Sequence, residues 1–232
     1  MGKSIFSDGF DLRWRLLRRV GYRAVRGLSY LLGRLFIRGS VGLENLSTVV
    51  PTIYLCSYTR DLDFLILPAL TRRELVFLSP ARIAEKGLIP WILKTNFVLF
   101  ADGEYPGYRF FREAMRSLTE YNRSVALYPD AAASYGKAFM EKYAGIIKLA
   151  MKANVPIVPV SMEWDDIDSP EKKVFPRGRL KVGEKVYISP NNKEFKDIFF
   201  KRRGFRKFGS LPKDDLQEIG RRVALRLRRV AV

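Results

Sequence analysis

Four charge-poor runs rich in Val, Ile, Leu and aromatic residues punctuate the chain: VVPTIYLCS (49–57), ELVFLSP (74–80), SVALYP (124–129) and VPIVPVSM (155–162). Each has strand length, and none is long enough for a core helix. Between them stand segments with a helical apolar period, among them 107–122 and 141–154. Strands alternating with helices predict an α/β sandwich: a single domain whose mainly parallel central sheet is flanked by helices. RLKVGEKVYIS (179–189) adds a polar, hairpin-like strand pair. A basic helix over 212–232, opened by Pro212 and acidic residues, closes a domain of residues 39–232.

The first 38 residues have a different composition. Over 10–36, a step of about 100° per residue gathers Leu16, Leu17, Val20, Ala24, Leu28, Leu31, Leu32 and Leu35 on one broad face. Arg15, Arg19, Arg23 and Arg26 fall opposite, with Trp14, Tyr22 and Phe36 near the ends or boundary. Such a segment suits a helix lying in the headgroup region of an anionic membrane. The same pattern also suits an amphipathic helix packed on its own domain. A second basic stretch, FKDIFFKRRGFRKFG (195–209), interleaves five phenylalanines with cations including Lys201, Arg202, Arg203 and Arg206. The last helix repeats the theme with Arg221, Arg222, Arg226, Arg228 and Arg229.

Charge narrows the partners. Forty-two Lys+Arg against 24 Asp+Glu give a net +18 without any histidine, which implies an anionic partner. Two separated basic amphipathic segments favour a flat membrane surface over a nucleic-acid groove, and no nucleic-acid motif is present. One cysteine, Cys56, excludes an internal disulfide and a cysteine metal cluster, and points to a reducing compartment. No uncharged apolar stretch approaches the roughly 20 residues of a spanning helix, so peripheral or monotopic association with the cytoplasmic face of a membrane is expected. The acidic run EWDDIDSPE (163–171) lacks metal-loop spacing, and no metal or other cofactor is expected.

The order of these segments resembles the glycerol-phosphate and lysophosphatidate acyltransferase (PlsC-like, LPLAT) superfamily over residues 40–190. ALYPDAAAS (126–134) followed, after one helix, by VPIVPV (155–160) carries the likeness most specifically. The resemblance implies a His-x4-Asp motif after the first core strand. There a histidine takes the proton of a glycerol hydroxyl as that hydroxyl attacks an acyl thioester. In SYTRDLD (57–63) the aspartate position is Asp63, and the histidine position is Tyr58. A phenol, with an ordinary pKa near 10, is a poor base at neutral pH.

The motifs that bind phosphate in that family depart in the same direction. Asp102 stands where an arginine is usual. The third motif reads Tyr128, Pro129, Asp130, Ala131, Ala132, Ala133, Ser134, so its glycine, threonine and arginine positions are alanine. These departures imply a fold that has given up acyl transfer, with Tyr58, Asp63 and Asp130 marking degenerate positions. Phe97, Leu99, Ile157 and Val158 would line an acyl groove, holding phospholipid or acyl chains. The expected partners are anionic membrane lipids, with a membrane protein complex as a further one. A second reading stays open: a divergent acyltransferase using acyl-CoA or acyl-ACP, with Asp61, Asp63 or a shifted Tyr58 as base. Nucleic-acid binding through 195–209 and the last helix is a third.

Overall fold

A computed structural model describes residues 12–46, 49–57, 62–71, 73–80, 98–101, 108–128, 137–165, 177–200 and 211–231. The four apolar runs form the strands β2 (Ile53–Cys56), β3 (Leu75–Pro80), β5 (Ser124–Leu127) and β6 (Ile157–Trp164), which lie side by side. With β1 (Ile37–Val41), β4 (Val98–Ala101) and β7 (Gly178–Val182) they make one seven-stranded sheet in the order β1-β7-β6-β2-β5-β3-β4. From β6 to β4 every neighbour is parallel; β7 pairs antiparallel with β6, and β1 parallel with β7. Strands flanked on both faces need apolar side chains at every position, which explains why β2 and most of β6 read as continuous apolar runs.

Residues 179–189 do not fold back as a hairpin. β7 pairs with β6, and the chain beyond it bulges at Gly183–Lys185 before Val186 bridges to Ile157. Pro159 explains the interruption. The amides of Ile157 and Ser161 point to the β7 side, so the donor that Pro159 lacks is missing where the neighbouring chain loops away. Gly183 N–H still donates to Pro159 O at 2.9 Å.

One face of the sheet carries α3 (Tyr108–Thr119), α4 (Lys137–Ala153) and α6 (Lys213–Ala231). On α3, Phe111, Ala114, Met115 and Leu118 repeat at the spacing of one helical face and pack on Leu55, Val76 and Val125. Asn154, with φ 52°, ends α4 in the left-handed region that asparagine tolerates. Gly220 lets α6 approach α4 closely: a Cβ there would lie 2.8 Å from Tyr143 Cβ. The short α5 (Lys196–Phe200) joins this layer through buried Ile198 and the preceding Phe195. The other face carries α2 (Leu62–Leu70), whose Ile66 and Leu67 pack on Tyr54, Phe77 and Val158.

The N-terminal helix α1 (Leu12–Phe36) packs on α2 and runs straight into β1. Its docking uses Tyr22, which joins the core beneath α3, α4 and α6, Phe36, which packs on the α2-side core, and buried Ser29, while of the described leucine-rich face only Leu32 is half-buried. The buried Tyr22 hydroxyl donates to Arg73 O (3.2 Å) and accepts from Leu75 N–H (3.0 Å), pinning the helix to the start of β3. Val20, Leu31 and Leu35 remain 62%, 55% and 64% exposed, and Ala24 and Leu28 are exposed with them. Burying a leucine stabilises by about 1.5–3 kcal/mol, so this stripe leaves a large term unsatisfied in the isolated chain.

Candidate functional site

The C-terminal ends of β2, β5 and β6 converge on the sheet's α2 face, the position where open parallel sheets hold ligands. Strand alternation sends Cys56, Tyr128 and Trp164 to that face, and all are buried. The helix after β2 brings Asp63 into the same cluster. Asp63 sits in the first turn of α2, where the helix dipole favours a negative charge, and is only 3% exposed.

A carboxylate this buried needs compensation. The indole N–H of Trp164 donates to Asp63 Oδ1 at 2.9 Å across 101 residues of sequence. Beside the pair, burial first and the Asp63 charge second push the Cys56 thiol well above its ordinary range, against a smaller opposing effect from its hydrogen bond with Tyr128. The Tyr128 ring stacks on Phe77 with centroids 6.5 Å apart. Cys56 is therefore held as a thiol, without nucleophilic character near neutral pH. Behind the opposite face of the same strands, Ser57 Oγ donates to Ser161 Oγ at 2.9 Å. With no histidine in the chain, that pair has no imidazole to activate it.

Of the degenerate motif positions, Asp63 is thus placed, whereas Tyr58 and Asp130 lie outside the described residues, as do Asp61, Asp102 and 131–134. Of the expected acyl-groove residues, the described Leu99, Ile157 and Val158 are not brought together. Ile157 and Val158 are successive residues of β6, both fully buried, and belong to cores on opposite faces of the sheet. Leu99 lies on β4, four strands from β6, roughly 19 Å at about 4.8 Å per strand. Phe97 lies outside the described residues.

Among the membrane-binding candidates, Arg23 is exposed and Arg26 half-buried. The side chains of Trp14, Arg15 and Arg19, and all of Lys201, Arg202, Arg203 and Arg206, lie outside the described residues. On the closing helix Arg222 and Arg226 are half-buried and drawn into ion pairs, while Arg221, Arg228 and Arg229 remain exposed. Arg222 is forked onto Asp197 (2.7 and 2.8 Å) and also pairs with Glu218, while Arg226 pairs with Glu194 at 2.7 Å and Arg221 with Glu218 at 2.8 Å. Of the acidic run 163–171, Glu163 pairs with Lys181 and Asp165 with Arg38 at 3.9 Å. Among the described residues no group of three or more His, Cys, Asp or Glu side chains could hold a metal ion.

Trp164 was not singled out from the sequence. The available signal was a tryptophan at the end of an apolar strand, whose N–H needs an acceptor once buried.

A family model described as Acyltransferase matches residues 39–163, more than half of the chain. The chain belongs to the acyltransferase family. Its fold is similar to the crystal structure of the 1-acyl-sn-glycerophosphate (LPA) acyltransferase PlsC from Thermotoga maritima. The TM-score is 0.57 at 16% identity, covering 95% of this chain and 83% of that one. A search of curated proteins found no match. The family match spans β1 to β6 and so contains Asp63 and nearly all of the apolar cluster around it, while Trp164 lies one residue beyond it. Among the described residues no helix is long and apolar enough to cross a membrane.

Proposed function

We propose that this acyltransferase-family protein works at a membrane surface and no longer transfers acyl groups, using the fold to bind phospholipid or acyl chains or to dock a membrane partner. The observation that carries the reading is the state of the proton-transfer machinery. The chain has no histidine, and the motif aspartate is buried against the Trp164 indole. An aspartate so placed fits a structural role, tying the start of α2 to the end of β6. The exposed apolar stripe of α1, with Arg23 and Arg34 exposed on the same helix, supports the membrane part. The reading needs no cofactor, and acyl-CoA or acyl-ACP enters only as a co-substrate if turnover exists.

The test is thioester consumption by the purified protein with acyl-CoA and lysophosphatidate, run beside Asp63→Asn. The expected result is no release of free thiol above buffer for either protein. Steady turnover by the parent that Asp63→Asn abolishes would overturn the proposal in favour of a divergent acyltransferase.

A further inference from the structure

The helices α4 and α6 pack side by side on one core, through Ile146, Ile147 and Ala150 of the first and Ile219, Val223 and Leu227 of the second. They meet at Gly220, where a Cβ would lie 2.8 Å from Tyr143 Cβ. Val230, near the end of α6, and Pro159, near the start of β6, both border Gly183, and α4 leads into β6, so the two helices run in the same direction. Their outward faces therefore form one surface, with packed axes about 8–10 Å apart. Lys148 and Lys152 are exposed on α4, and Arg221, Leu225, Arg228 and Arg229 on α6.

Carboxylates are scarce on this surface. Residues 143–153 contain none, and none follows Glu218, which is itself bonded to Arg221 and Arg222. Asp197, Glu194 and Glu184 meet Arg222 and Arg226, about 120–160° round α6 from Arg228. Exposed Asp214, in the first turn of α6, lies about 16 Å along the axis from Leu225. Leu225 is 38% exposed, and Arg221, Arg228 and Arg229 stand at the three- and four-residue spacings that make them its neighbours on the helix surface. An apolar side chain ringed by guanidiniums has the anatomy of a protein interface, where arginine is enriched and forks onto carboxylates. A bilayer gains less here, since among the described residues Leu225 is the one large apolar side chain exposed on these two helices. Single-stranded nucleic acid finds no exposed aromatic ring on them to stack against, among the described residues.

We propose that the α4–α6 face docks an acidic segment of a partner protein, its carboxylates meeting Lys148, Lys152, Arg228 and Arg229 around an apolar side chain seated on Leu225. The proposal rests on the docking part of the functional reading above, and it names the surface and the chemistry of the partner.

The probe is a synthetic helical peptide with glutamates at three- and four-residue spacings on either side of one leucine, labelled for fluorescence anisotropy, beside a scrambled peptide of the same composition. The full chain should bind the patterned peptide, and the scrambled one at least about tenfold more weakly. Lys148→Glu with Arg228→Glu should weaken binding of the patterned peptide at least about tenfold. Arg23→Glu with Arg34→Glu, the same change of charge at exposed positions of α1, should leave it within about threefold. Circular dichroism of each variant establishes that it is folded. Equal loss in the two variants, equal binding of the two peptides, or no binding by the parent overturns the proposal. So does a loss of flotation with phosphatidylserine vesicles, or of duplex DNA binding, by the α4–α6 variant while peptide binding persists, because the face then serves lipid or nucleic acid. Thioester turnover and vesicle flotation by the parent judge the functional reading independently of peptide binding.

Discussion

Replacing Trp164 with phenylalanine isolates the contact on which the site reading depends. The substitution keeps an aromatic ring on β6 and removes the N–H that reaches Asp63 Oδ1 at 2.9 Å. Hydrogen bonds to charged groups contribute about 1.5–3 kcal/mol. The smaller ring also leaves a void at a position only 5% exposed, worth about 1 kcal/mol more. The expected loss is thus about 3 kcal/mol, a large share of the stability of a domain this size. Urea unfolding followed by circular dichroism measures it, with an unchanged slope as the sign that the same transition is observed. Repeating the substitution in an Asp63→Leu background separates the two effects: the hydrogen bond no longer exists there, and only the ~1 kcal/mol packing loss should remain. A single-variant loss below about 1 kcal/mol, or strictly additive losses, would show that the indole does not compensate the buried carboxylate.

Gly220→Ala should destabilise, by about 1 kcal/mol, although alanine is the better helix former by about that much, because the new methyl would sit 2.8 Å from Tyr143 Cβ. A neutral or stabilising result in the same urea assay refutes the close α4–α6 approach. Glu218 is held at a pKa of about 2, below its ordinary 4.5, chiefly by its hydrogen bond from Arg221. A depressed carboxyl contributes stability that is fully present above its unfolded pKa and is lost as the pH falls toward 2. Glu218→Gln should therefore flatten the acid limb of the stability profile between about pH 5 and 2, by no more than ~1 kcal/mol given solvent screening of a carboxylate 35% exposed. An unchanged profile counts against the pairing.

The strands buried on both faces were legible because burial demands an unbroken apolar run, and β2, β3, β5 and β6 each have one. β1, IRGSV, was not. It is an edge strand with only Ile37 even half-buried, so no alternation marks it. β4 is four residues long, within a stretch whose motif likeness drew the reading instead. Pro159 displaced the expected hairpin partner of β7, an effect that depends on which side of β6 lacks its amide. At the site, local sequence located Asp63 but not its partner. Nothing short-range links residues 63 and 164, and only the folded sheet brings the end of β6 over the start of α2. The ion pairs of Arg222 and Arg226 on α6 escaped the sequence for a similar reason, because Asp197, Glu194 and Glu184 reach them from outside the helix.

Phe36 closes α1 and Ile37 opens β1, with no intervening residue. A helix joined this way has no swivel: turning it about its long axis would wrench the adjoining strand out of its pleat. The bearing of the greasy ridge is thus dictated by the edge of the sheet, and whatever grips that ridge sets the attitude of the whole domain.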